Sequence, residues 1–240
     1  MVLQRDRAVA VWGWAEKGET VTVSFNNQTV KAKADASGNW SVTLKAMTHG
    51  GPYTMSVSGK SNKISLTNIL IGDVWVCSGQ SNMEWTMTNT RDAEMEIAAA
   101  NYPKLRHFTV QKSVSFTIEK DLQGYQWQEC TPATAADFSA VAYFFGRKLL
   151  KEMDVPIGLI NSSWGGTHSE TWTSRDAFNQ NDEFKPAISK IPATYEEVIE
   201  KGKERTRLLL EKQQGGLPTP TEECTWSDPS IITDQWKSMN

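Results

Sequence analysis

Two short stretches hold the residues of this chain that could do chemistry. In GDVWVCSGQSNMEW, residues 72–85, an alternating β-branched and aromatic run ends at Cys77 and gives way to Ser78-Gly79-Gln80-Ser81-Asn82. A serine on a tight strand-to-helix turn exposes its hydroxyl beyond the carboxyl end of the strand, where backbone N–H groups can receive a developing oxyanion. Gly79 allows the sharp turn with no Cβ in the way. Met83 stands where the second glycine of a G-x-S-x-G elbow would be. Local chemistry therefore leaves Ser81 two roles, nucleophile or polar N-cap of the next helix. The second stretch, PIGLINSSWGGTHSETW, residues 156–172, ends an apolar strand in Gly165-Gly166-Thr167. Paired glycines let backbone amides approach a ligand closely, which suits an oxyanion donor, a sugar-facing loop or an ordinary turn.

A nucleophilic serine needs a base within about 3 Å of its hydroxyl, and that base needs an orienting partner. The chain has three histidines. His49 falls in a hairpin-like loop and His107 in a strand-like run. His168 follows the glycine loop, and Glu170 two residues later would share its face on an extended chain. His168 is thus the local candidate for a base, or else lines the substrate loop. Taken by themselves, Glu170 can pin the loop and Trp172 can pack beneath it. Arg91 and Arg147 could meet a carboxylate bidentately or belong to a solvated surface.

The elements that position these residues follow from alternation and turns. Residues 1–70 read as all-β: AVAVWGW, ETVTVSF, QTVKAKAD, WSVTLKAM, YTMSVSG and NKISLTNI are short runs separated by glycine, asparagine and proline turns. That rhythm predicts a β-sandwich. From residue 71 the pattern changes. The strand ending at Cys77 is followed by helix-like RDAEMEIAAA and strand-like LRHFTVQ. FSAVAYFFGRKLLKEM then places Phe138, Val141, Phe145 and Leu149 on one helical face, ahead of a last apolar strand. Strands alternating with helices predict parallel α/β units. A final helix is expected from Thr194, which has capping-box spacing to Glu197, to about Gln214. The expected division is 1–70, 71–214 and a polar connector over 215–240.

With 240 residues the chain can form one large domain or two smaller ones. A net charge of −3 gives no reason to expect a nucleic-acid or anionic-membrane partner. No apolar run approaches the roughly 18 residues of a membrane span. The first residues, MVLQRDRAVAVWGW, lack the apolar core of a secretion signal. Cys77, Cys130 and Cys224 show no zinc-site spacing, and their odd number excludes complete internal pairing. Cys77 is expected as a small buried apolar residue. Ten tryptophans serve a core or offer stacking surfaces for sugars, with Trp12 and Trp40 the platform candidates.

Taken together, GDVWVCSGQSNMEW and PIGLINSSWGGTHSETW closely resemble the sialate O-acetylesterase family of the SGNH-like, GDSL-related esterases. FSAVAYFFGRKL looks like that family too, and MVLQRDRAVAVWGWAEKGETVTVSF resembles the β-sandwich preceding the esterase fold in its bacterial members. The resemblance implies an SGNH-hydrolase-like, flavodoxin-like α/β domain after the sandwich. It implies Ser81 as nucleophile, and an oxyanion hole from the Ser81 amide and Gly165 or Gly166. Gln80, Asn82, Glu170 and Trp172 would lie around the substrate. The implied reaction removes an acetyl ester from a sugar through an acetyl-serine intermediate, without metal or cofactor. The substrate would be a sialate ester or, alternatively, acetylated xylan; a non-catalytic glycan-binding fragment is a third possibility. Two family blocks are not found here: a Q-G-E segment of the oxyanion hole, and a D-x-x-H type segment that supplies the base. An incomplete α/β domain is therefore expected, its apolar sheet edge covered by a dimer partner or a missing C-terminal segment. Family resemblance also implies a secreted or periplasmic protein.

Overall fold

The computed structural model describes residues 1–122 and 126–214. The expected connector over 215–240 and Cys224 lie outside the described residues. The chain divides into two compact units, Met1–Trp172 and Thr173–Asn240.

The first unit begins with seven strands: β1 (Val2–Gln4), β2 (Val9–Trp14), β3 (Thr20–Phe25), β4 (Gln28–Lys33), β5 (Asn39–Leu44), β6 (Gly50–Ser58) and β7 (Lys63–Gly79). Next come the one-turn helix α1 (Ser81–Glu84), α2 (Ala93–Ala98), β8 (Tyr102–Thr109) and β9 (Gln128–Cys130). Helices α3 (Pro132–Ala135) and α4 (Ala140–Met153) lead into β10 (Ile157–Ser163). Strands pair in the order β4-β3-β6-β7-β10-β8-β9, with β1 also on β7, while β2 and β5 form a separate ladder. The sheet is mixed. Pairs β3–β4, β3–β6, β6–β7 and β8–β9 are antiparallel; β1–β7, β7–β10 and β8–β10 are parallel.

Strand β7 joins everything. Its first half pairs with β6 and its last seven residues with β10, so NKISLTNI and GDVWVC, which look like separate strands in sequence, form one element running through residues 70 and 71. Asn68 sits within it at φ +56°, a left-handed conformation that asparagine tolerates better than other non-glycine residues. Its amide group donates to Glu129 Oε1 at 2.6 Å and accepts from Arg106 Nη2 at 2.9 Å. Those bonds fix the irregular point against β8 and β9. Arg5 donates to the two oxygens of Asp73 at 2.9 and 3.1 Å, tying the chain start to β7.

Two buried clusters flank this strand. Val21, Val23, Phe25, Trp40, Val42, Leu44, Met55, Ile69 and Ile71 form one, so Trp40 is core and not a sugar platform. Trp12 and Trp14 are instead exposed, in an edge-to-face pair 5.4 Å apart. The second cluster joins Cys77, Leu105, Ile157 and Leu159 of the parallel strands to Ala142, Tyr143 and Leu150 of α4. Burial raises the Cys77 thiol above its ordinary pKa and pushes Cys130 to about 11, so both stay protonated.

Helix α4 corrects the sequence expectation. Its buried residues are Ala140, Ala142, Tyr143, Gly146 and Leu150, whereas Val141 and Phe145 are exposed. Close approach to the sheet selects small side chains: a Cβ on Gly146 would lie 2.7 Å from Leu159 Cδ1. Phe145 meets Trp75 of β7 edge-to-face at 5.1 Å. Ser139 caps α4 by accepting the Ala142 N–H at 3.2 Å, and its hydroxyl points to Met83 Sδ at 3.5 Å. Ser139→Ala should lower stability by about 1 kcal/mol, read as a reduced urea midpoint at unchanged m-value. An unchanged midpoint would show that water replaces the cap.

The second unit contains α5 (Arg175–Asn179), α6 (Lys185–Ile188) and α7 (Tyr195–Gln214). Arg175 organises its start by donating to the carbonyls of Ile188, Ile191 and Pro192. At the head of α7, Thr194 Oγ1 accepts the Glu197 N–H, as the spacing predicts. The Glu197 carboxylate takes the Ala193 N–H, one residue earlier than in a strict capping box. No described helix is long and apolar enough to cross a membrane.

Candidate active site

The parallel register of β7 and β10 brings the two sequence stretches together. Ile157 pairs with Asp73 and each later pair follows in step, so Ser163 ends opposite Gly79. One residue on, the Trp164 N–H donates to the Gly79 carbonyl at 3.0 Å. Both strands thus finish at one level, and the loops leaving them must be neighbours. Gly79 turns at φ +154°, where a Cβ would meet Met83 Cβ at 3.2 Å. Gln80 is the N-cap position of α1 without a side-chain cap, and Ser81 is its first residue. The polar-cap role for Ser81 is therefore not what the local structure uses.

Ser81 is exposed, and no hydrogen bond engages its hydroxyl among the described residues. Gly165 lies against it: a Cβ there would sit 3.6 Å from Ser81 Cα and 2.6 Å from Glu84 Oε2. Glu84 completes the contact by accepting the Gly165 N–H with one carboxylate oxygen while the other pairs with Lys112 Nζ. The Lys112 ammonium also lies 5.7 Å from the centre of the Trp164 ring. Gly166 follows at φ +76°, and a Cβ there would have no heavy atom within 4 Å.

Thr167 locks the loop by donating to the Trp164 carbonyl at 2.7 Å and accepting from Trp172 Nε1 at 2.8 Å. Trp172 is thus a loop pin with an indole still 45% exposed. Beneath, buried Ser163 donates to buried Asn161 Oδ1 at 2.8 Å and fixes the end of β10. Glu170 is exposed. Its own backbone N–H and the Ser169 hydroxyl hold its carboxyl below the ordinary carboxylate range. Gln80 and Asn82 face solvent beside Ser81.

No histidine is hydrogen-bonded to Ser81 among the described residues. His168 is exposed, and its main-chain carbonyl accepts from the Thr171 amide and hydroxyl. His49 interacts electrostatically with Asp154. His107 is buried on β8 with its ring 4.4 Å from that of Phe138. Neither arginine considered for a carboxylate ligand lies free near the serine: Arg147 pairs with Glu96 and covers the Phe144 ring, and Arg91 pairs with Asp92. Among the described residues no cluster of His, Cys, Asp and Glu could hold a metal ion. Glu84 and Lys112 were not legible as site residues; their one sequence signal is that Glu84 lies one helical turn after Ser81.

Ser81 thus follows the carboxyl end of a parallel strand with a glycine loop from the adjacent strand against it, the end of an open α/β sheet at which ligands bind. The fold is similar to that of a crystallised carbohydrate acetylesterase from Xanthomonas citri, with TM-score 0.72 and 41% identity over 77% of this chain and 42% of that one. The model of the family "Carbohydrate esterase, sialic acid-specific acetylesterase" matches residues 71–209, and the chain belongs to that family. The sialate O-acetylesterases of Rattus norvegicus and Homo sapiens are each 37% identical, over 196 and 193 residues. The chain spans 36% of the rat protein and 37% of the human one.

Proposed function

We propose that Ser81 is the nucleophile of a carbohydrate O-acetylesterase of the sialate type, and that the base completing it lies in sequence beyond these residues. The observation carrying this reading is the register of β7 and β10, which sets the Gly165-Gly166 loop against an exposed serine with an unengaged hydroxyl. Ser81 Oγ attacks the acetyl carbonyl carbon and gives up its proton to the base. As the tetrahedral oxyanion collapses, the base returns that proton to the departing sugar oxygen, so the sugar leaves as a neutral hydroxyl and acetyl-serine remains for water to hydrolyse. The incomplete-site reading draws support from the free edge of β7: from Asp73 to Gly79 only β10 pairs with it among the described residues, and Trp75 and Val76 are exposed there. Residues 1–70 are read as a two-layer β-sandwich domain abutting the esterase fold, since β5 and β3 share one buried cluster. Export to the periplasm or beyond rests on the family resemblance.

Fluorophosphonate labelling with intact-mass readout tests this. The folded 240-residue chain should remain unlabelled at Ser81, with Ser81→Ala as the control. Selective labelling would place the base within the chain and make His168 its prime candidate. In a longer form with turnover, Ser81→Ala should lower kcat by about 10³-fold or more. Unchanged kcat would remove Ser81 from the chemistry. Sialate and acetylxylan esters compared in that form decide the substrate. The exposed Trp12–Trp14 pair favours a second, non-catalytic glycan-binding role. Glycan binding that survives Ser81→Ala but not Trp12→Ala would establish it.

A further inference from the structure

The structure assigns Glu84 a positioning role: it holds the Gly165-Gly166 loop in place beside Ser81 and, by taking the Gly165 N–H, leaves Gly166 as the loop amide open to an oxyanion. This rests on Ser81 being the nucleophile. Glu84 and Ser81 are the two ends of a single helical turn, closed by the Glu84 N–H to Gln80 carbonyl bond at 2.9 Å. The carboxylate and the serine therefore move as one piece. The carboxylate bridges two groups: the Gly165 amide on one oxygen and Lys112 Nζ on the other.

Both contacts are charge-assisted, which gives them direction as well as strength. The Glu84–Lys112 pair is partly exposed, its side chains 34% and 44% accessible, so its net contribution to folding is small. Its consequence is geometric. The Lys112 ammonium sits over Trp164, whose N–H is already on Gly79, so the peptides on both sides of Trp164 are tied down. A Cβ at 165 would stand 2.6 Å from Glu84 Oε2, so a side chain there would push the carboxylate off the amide.

An amide committed to a carboxylate cannot also stabilise a developing oxyanion, and an unneutralised carboxylate beside that oxyanion would repel it. Lys112 cancels the charge that Glu84 brings. Gly166 turns in the left-handed region with open space beside it, and its N–H has no hydrogen-bond partner among the described residues. Of the two glycines, it is the one that can serve.

Amide NMR on the ¹⁵N-labelled chain tests the tie without requiring activity. In the wild type the Gly165 amide proton should be protected from exchange, and its shift should follow one carboxyl titration. Glu84→Gln should abolish the titration yet keep the protection, because its carbonyl oxygen still accepts; Glu84→Ala should lose both. A wild-type Gly165 amide that neither titrates nor resists exchange, or a Glu84→Ala spectrum unchanged at 165, would overturn the assignment. In a longer, active form, Glu84→Ala should lower kcat at least tenfold while KM moves less, with Glu84→Gln restoring most of it. Equal kcat for Glu84→Ala and wild type would also overturn it. If Ser81→Ala leaves turnover intact, the nucleophile assignment fails while the NMR result stands by itself.

Discussion

Gly72→Ala should destabilise the first unit by about 3 kcal/mol or more, although it adds a single methyl group. Gly72 is the last residue of β7 to pair with β1, immediately before the strand takes up β10. A Cβ there would fall 1.9 Å from the Pro156 carbonyl oxygen. That oxygen already accepts the Asp73 N–H at 2.9 Å, the bond that begins the β7–β10 register. On its other side the Gly72 carbonyl accepts the Arg5 N–H at 2.8 Å. A flexible side-chain tip could swing away from the new methyl. Here the obstacle is main chain held from two directions, so relief requires moving the start of β10. Overpacking of this kind typically costs about 1–3 kcal/mol and more when backbone must shift.

The same step would displace Ser163 and the Gly165 loop relative to Ser81. Gly166→Ala is the contrasting control, because it meets no atom within 4 Å and suffers only its φ of +76°. That strain amounts to roughly 1 kcal/mol. Urea unfolding followed by tryptophan fluorescence compares the two. A Gly72→Ala midpoint as mild as that of Gly166→Ala would mean that β10 yields freely and that the register is not set here.

The sequence made the site's ends legible and left its middle dark. Ser81 and Gly165-Gly166 stand out because small polar residues and glycines follow apolar runs, a local pattern that needs no knowledge of partners. The parallel sheet was legible for a similar reason, strands and helices alternating along the chain. Glu84 was not, since its partners lie 28 and 81 residues away and nothing in a polar run distinguishes a tied carboxylate from a solvated one. The face of α4 was misjudged because pattern reading follows large apolar residues. The sheet packs against small ones, Ala142 and Gly146, while Val141 is exposed and Phe145 meets Trp75 of β7. Asn68 lies inside the run NKISLTNI, and because its left-handed backbone is bonded into place the strand continues through it into GDVWVC. His107 reads as one polar residue in a strand, and its isolation in the core emerges only when β8 is packed.

That isolation makes His107 a source of pH-dependent stability. Its side chain lies in a residue only 3% exposed, against Phe138, and Nε2 has no hydrogen-bond partner among the described residues. Burial lowers its pKa from 6.5 to about 4, because the charged imidazolium would lose its hydration with no carboxylate to replace it. The neighbouring charges, Arg106 and Glu129, are engaged with each other. Between these two pH values the unfolded chain binds a proton that the folded chain refuses, so stability rises with pH and is lost as pH falls. It is fully present above pH 6.5 and lost progressively until about pH 4, below which both states are protonated and the dependence ends. At about 1.4 kcal/mol per pH unit, the loss reaches about 3 kcal/mol. Carboxylates titrate in part of the same window, so the informative quantity is the difference from a variant without the imidazole. His107→Leu fills most of the volume with an apolar group and should flatten the profile, gaining on the wild type as pH falls from 6.5 to 4. Urea unfolding at half-unit pH steps gives that difference directly. Parallel profiles for the two proteins would show that water or a side-chain rearrangement solvates the imidazolium, and that the β8 face beneath α4 is less closed than its packing implies.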